Sequence, residues 1–246
     1  MNSPLKRNLI VLLTVAAVLV LPLAAQASTT AFFNLGVPNT AMQNFSRPYA
    51  TINITGGDTG GGVGPVFFEV VGLTGAYTPD IPDTPVQYLL SGTDIFGIVG
   101  LTITGVTAYS QVGMTGFNTP IFSYPGAGNV DGFGAGPEFT STIKNFDGFS
   151  YAVKSFTFTV AEQFDDAAAA LAYLQTHLTS QGFFAAAHIY PTITEGGINQ
   201  DNGVYINTGY AGDGSQGVVV PVPPTALLMG FGLVGLGLLG WRRKKG

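Results

Sequence analysis

The sequence predicts a mainly β domain, an antiparallel sandwich or jelly roll that carries one short α-helix. Three observations predict it. Short runs alternate polar and apolar residues, as in Thr51-Ile52-Asn53-Ile54-Thr55, which is the period-two mark of a half-buried strand. Clusters of Gly, Pro, Asn and Asp punctuate these runs, in a chain with 35 glycines and 15 prolines. One stretch alone, between Asp165 and Gly182, has helical spacing. Strands that follow one another without intervening helices argue against a doubly wound α/β fold.

In chain order, residues 28–49 form a mixed entry segment with Phe32, Phe33, Pro38 and Pro48. The strand at 51–55 leads into Gly56-Gly57-Asp58-Thr59-Gly60-Gly61-Gly62-Val63-Gly64, a density of glycine that only a loop tolerates. After Pro65, residues 66–73 read as a buried strand. Residues 77–85 hold three prolines with Asp80 and Asp83 and read as a long surface turn. A short apolar run, 86–90, follows. Residues 98–107 set Leu101, Ile103 and Val106 among Thr102, Thr104 and Thr107, a strand with Gly105 as a candidate bulge. Residues 115–137 are broken by Pro120, Pro125, Gly126, Gly128, Gly132, Gly134 and Gly136 and read as loops.

Residues 149–160 give the clearest strand, with Phe156, Phe158 and Val160 on one face and Ser155, Thr157 and Thr159 on the other. For the helix, Asp165 or Asp166 supplies an N-cap and a charge suited to the positive end of the dipole. Leu171, Leu174 and Leu178 form its apolar stripe, and Gly182 is its expected stop. Residues 183–190 and 203–207 are expected strands joined by a turn at 199–203, and 218–220 read as a last strand or the stem of the tail.

Both ends of the chain read as targeting segments. Lys6 and Arg7 precede an apolar run over residues 8–21. Ala25-Gln26-Ala27 then places small residues where a signal peptidase reads, so residues 1–27 are an expected signal peptide cut before Ser28. The exported domain is expected over 28–217. Residues 218–246 form the other end: a Pro-rich hinge at 220–225, an apolar run at 226–241 and the cations Arg242, Arg243, Lys244 and Lys245. As a helix, the 16-residue run spans about 24 Å, the short limit for a hydrocarbon core of about 30 Å. Trp241 sits at the apolar–charged boundary, where amphipathic rings settle, and the cations belong on the cytoplasmic side. The middle of the chain is therefore expected outside the inner membrane.

Val220-Pro221-Val222-Pro223, the apolar run and the basic cluster together resemble the PEP-CTERM sorting signal of Gram-negative bacteria. The likeness covers about the last 26 residues. Val222 stands where that signal usually has Glu, and Pro224 where Ser is usual. The resemblance implies an exported protein, tethered in the inner membrane and then moved to the surface or matrix. It also implies an exosortase-type processing protease and an exopolysaccharide or biofilm setting.

Charge and composition narrow the function classes. The expected exported part holds three cations, Arg47, Lys144 and Lys154, against all 14 acidic residues, a net charge of −11. Such a surface repels nucleic-acid phosphates. The absence of cysteine excludes disulfides, thiolate metal sites and thiol nucleophiles. The sequence lacks a nucleophile elbow, and Gly214-Ser215-Gln216-Gly217 resembles one only superficially. It also lacks a Walker loop, a zinc His-Glu-x-x-His and a dinucleotide fingerprint.

His177 and His188 are the two histidines, expected at a helix end and in an apolar strand. Glu69, Glu138, Glu162 and Glu195 are available as paired carboxylates, but no spacing singles out a pair. Plentiful hard oxygen ligands favour calcium over zinc, with Asp58 and Asp201 beside Asn202 as candidates; neither fits a calcium-loop pattern, and turn formation explains both. The expectation is a non-enzymatic exported protein without a cofactor. A carbohydrate- or calcium-dependent binding module is the second reading, and a secreted hydrolase the third.

Overall fold

The computed structural model describes residues 29–57, 62–77, 84–111, 118–130, 132–133, 138–145, 149–193, 208–214 and 218–221. These are mainly β, with one α-helix among them. In order the strands are β1 (Thr29–Pro38), β2 (Ala50–Gly56), β3 (Gly64–Gly72), β4 (Thr74–Tyr77), β5 (Thr84–Leu90), β6 (Phe96–Ile98), β7 (Ile103–Gln111), β8 (Ser123–Gly128), β9 (Phe139–Lys144) and β10 (Val153–Phe164). The helix α1 (Ala167–Gln175) and the strands β11 (Ala185–Ile193), β12 (Gly209–Asp213) and β13 (Val218–Pro221) complete the order. Thr29–Val220 make up one compact unit.

The strands join in a single sheet rather than in two facing ones. Its path runs β5–β10–β3–β2–β1–β12–β11, and β11 pairs with β5 again, which closes a barrel. The join between β5 and β10 is one register, Leu90 opposite Val153. The other strands are additions: β4 beside β5, β7 beside β10, β13 beside β1, and β6–β9–β8 continuing from β11. Closure removes the edges that a seven-strand open sheet would expose. The pairings among β1 to β12 are antiparallel, as the alternation predicts.

The core follows from that alternation. Ile52 and Ile54 of β2, Val66, Phe68 and Val70 of β3, and Phe156 and Phe158 of β10 are fully buried on one face. Phe68 stacks on Phe158 at 5.1 Å and 9°, and Phe96 of β6 meets Phe158 at 5.3 Å. A second cluster, Val99, Val130, Phe133, Phe139 and Ala186, packs with Phe183 and Tyr210. Helix α1 lies against β1, β2 and β10 and buries Ala167, Ala170, Leu171 and Leu174.

Some local expectations change. The helix stops at Gln175 instead of running to Gly182. The Thr176 hydroxyl donates to the Tyr173 carbonyl at 2.8 Å and occupies an acceptor of the last turn, which leaves Leu178 outside the helix and 49% exposed. Gly182, at φ +87°, closes a separate turn by donating to the Thr179 carbonyl. The single strand expected over 98–107 is two, split at Gly100, whose φ is +80°. Register slips between Ile103 and Gly105 and again between Val106 and Ala108, so the irregularities fall at Thr104 and Thr107 while Gly105, the expected bulge, stands opposite Thr159. The strand expected from Phe149 starts at Val153, after a 3-10 turn at Phe149–Tyr151. The loops expected over 115–137 include β8. No helix among the described residues is long and apolar enough to cross a membrane. The expected signal segment, the strand at 203–207 and the tail helix at 226–241 lie outside the described residues.

Candidate functional site

The two histidines lie in different elements. His177 follows the end of α1, its ring stacked on Tyr173 at 4.0 Å and 22°. Its Nδ1 lies 2.8 Å from the Tyr173 carbonyl, while the Tyr173 hydroxyl donates to the Gly100 carbonyl at 3.1 Å. A Cβ on Gly100 would come within 2.9 Å of the His177 side chain, so a glycine is needed there. Tyr173 thus fastens the helix end to Gly100, with the His177 side chain packed beside it. His188 lies in the middle of β11 and is 7% exposed. It stacks on its cross-strand partner Tyr210 at 4.3 Å and 12° and meets Tyr190 edge-on at 5.4 Å. Gly92, at φ +114°, presses its backbone on this ring.

The carboxylates are engaged singly. Glu138 accepts from both the backbone N–H and the hydroxyl of Ser180. Both oxygens of Glu162 accept the Thr102 N–H, at 3.1 and 2.9 Å. Glu69 accepts from the Asn53 amide at 3.2 Å on an exposed strand face. Each bond holds local scaffold. Glu195, Asp58, Asp201 and Asn202 lie outside the described residues, as do Ser215 to Gly217 of the serine loop. No group of three or more His, Asp or Glu able to hold a metal occurs among the described residues. Lys144 pairs with Asp94 at 3.4 Å.

The sequence reading missed Asp213. Only 2% exposed, it accepts the N–H groups of Phe184 at 2.9 Å and Ala185 at 3.0 Å, where β11 begins. Its place in Gly212-Asp213-Gly214 reads locally as a turn, which hides the role.

Tyr49 and Tyr88 form a second buried polar corner. The Tyr49 hydroxyl donates to the Met42 carbonyl at 2.9 Å, and that of Tyr88 to the Ser46 carbonyl at 2.6 Å. Burial raises the pKa of both phenols above the usual tyrosine value; the hydrogen bond and charge of Arg47 oppose this at Tyr49, and the hydrogen bond with Ser46 opposes it at Tyr88.

The outer face of β2, β3, β10 and β7 carries exposed and half-buried polar groups. Register sets these side chains in rows: Thr51, Val71, Ser155 and Ser110; then Asn53, Glu69, Thr157 and Ala108; then Thr55, Phe67 and Thr159, opposite Gly105. Thr104 and Thr159 hydroxyls lie 2.9 Å apart. Phe67 is 40% exposed beside them. Such a face offers donors and acceptors in alternation, one carboxylate and no cation.

No protein-family model, curated protein or solved structure matches this chain.

Proposed function

We propose that the chain is a non-enzymatic exported protein, tethered through residues 226–241 and displayed at the cell surface or in an extracellular matrix. The observation that carries this reading is the pair of targeting-type ends on one chain: Ala25-Gln26-Ala27 before Ser28, and the apolar run closed by Trp241 and four cations. The PEP-CTERM resemblance adds processing by an exosortase-type protease and an exopolysaccharide setting. The engagement of Glu138, Glu162 and His177 in scaffold bonds is in keeping with a role other than catalysis. The test is cell fractionation with and without residues 226–246. Under this reading the full chain sediments with membrane and the shortened chain is exported in soluble form. A full chain found in the cytosol would contradict it.

The second reading, a carbohydrate-binding module, is favoured by the outer face of β2–β3–β10–β7. Its hydroxyls and amide suit the neutral hydroxyls of a polysaccharide, and the net negative charge suits no polyanion. Retention on neutral polysaccharide that is lost on Thr157→Lys would support it; retention unchanged by that substitution would remove this face from consideration.

A further inference from the structure

Two wings of the sheet meet at β7 and β8. β7 extends from β10, and β6–β9–β8 extend from β11. Among the described residues no backbone ladder joins β7 to β8; side chains span the seam. The Val106 N–H of β7 donates to the Tyr124 hydroxyl of β8 at 2.8 Å. Beneath that bond the rings are layered: Tyr109 lies 5.8 Å from Phe122, and Phe122 lies 5.9 Å from the buried Phe156. β8 itself is weakly anchored. Ser123, Tyr124, Pro125 and Ala127 are exposed, and Gly126 and Gly128 are half-buried, so the strand buries no side chain fully. Its register with β9 slips twice, between Ser123 and Gly126 and between Gly126 and Gly128. Across the seam, Thr107–Gln111 of β7 are exposed as well.

We infer that Phe122 and β8 form a flap that lifts from β7 while the barrel stays closed, with Tyr124 as its latch. The two sides of the flap are held differently, and this carries the inference. Toward β9 it keeps the ladder, the Thr142 hydroxyl donating to the Gly126 carbonyl at 3.2 Å, and the Ile121 N–H donating to Asn145 Oδ1 at 3.1 Å, one residue past β9. Asn118, bonded to the Gln111 side chain and to the Ser150 carbonyl, fixes its base. Toward β7 it gives up the Tyr124 bond and the Phe122 ring contacts. Opening at β3 instead breaks seven registered pairs to β2 and seven to β10 and uncovers Val66, Phe68 and Val70. Elements with few buried contacts open at the lowest free energy. A lifted flap bares the Phe156 ring beside an unpaired strand edge, an apolar surface that the closed form hides. Phe156 in turn meets Phe96 at 6.1 Å, so the door gives on the core. None of this depends on where the chain resides.

The test is amide hydrogen exchange followed by NMR on the full chain in detergent solution, with urea added below the unfolding transition. The Val106 and β8 amides are expected to exchange at least about tenfold faster than those of β2 and β3, through an opening that urea barely changes. Equal protection and equal urea dependence in the two groups would overturn the inference, because one global event would then open both. Tyr124→Phe deletes the latch oxygen and keeps the ring. It is expected to speed exchange about tenfold at Val106 and along β8 together, with β2 and β3 unchanged. A rise confined to Val106 would report a lost bond without a released flap and would overturn the inference. A rise shared by β2 and β3 would overturn it too, since the hydroxyl would then hold the whole barrel.

Discussion

Replacing Asp213 by Ala removes the acceptor for two backbone N–H groups at the start of β11. Phe184 and Ala185 are buried, at 1% and 0% exposure, so water replaces the lost oxygen poorly. A stranded buried donor costs about 1–3 kcal/mol, and bonds to a charged acceptor lie toward the upper part of that range. Two donors give a loss of roughly 3–5 kcal/mol, a large share of the 5–15 kcal/mol typical of a domain. For a domain of this size each kcal/mol moves Tm by about 2–4 °C, so a fall of about 10 °C is expected. Asp213→Asn keeps an oxygen in place and gives up only charge assistance, offset by relief of a buried charge; its expected cost is about 1 kcal/mol. Urea unfolding of both variants measures this. A loss below about 1 kcal/mol for Asp213→Ala, or equal losses for the two, would refute the reasoning.

The remaining predictions concern the other buried contacts. Tyr49 and Tyr88 have folded pKa values raised above their unfolded values, so the stability they contribute is full below the unfolded pKa and is lost as pH rises through the folded ones; unfolding midpoints should fall above about pH 10, and Tyr88→Phe should flatten that fall. The Asp166 carboxylate accepts the Ala169 N–H at 2.8 Å as the cap of α1, so Asp166→Ala should cost about 1 kcal/mol in urea unfolding, with Asp166→Ser recovering most of it. Gly92→Ala places a Cβ 1.9 Å from His188 Nδ1 at a positive φ. It should destabilise by at least about 2 kcal/mol and disturb the His188–Tyr210 stack, read by the histidine ring shifts in NMR.

Legibility in the sequence followed how far a strand's surroundings show in its own residues. β2, β3 and β10 alternate cleanly because one face meets the core and the other meets solvent. β1 alternates too, with Ala31, Phe33 and Leu35 buried, but Phe32 on the other face hides the period. β12 reads as a turn, Gly-Tyr-Ala-Gly-Asp. Its glycines answer to distant partners: a Cβ on Gly209 would meet Met42 at 2.5 Å, and one on Gly212 would meet Phe133 at 2.6 Å. β8 carries Pro125 and Gly126 because it pairs along one side only, with β9. Barrel closure was not legible, since β5 meets β11 across about a hundred residues of sequence. Asp166 was legible as a cap, whereas Asp213 acts through residues 28 and 29 positions away.

The absence of cysteine makes one measurement especially direct. Thr157→Cys puts a single thiol on the outer face of β10, and a membrane-impermeant maleimide is added to intact spheroplasts of cells making the full chain. Export predicts labelling without lysis, to the same extent as after lysis. Labelling that appears only once the inner membrane is broken would contradict the account, because the barrel would then lie on the cytoplasmic side.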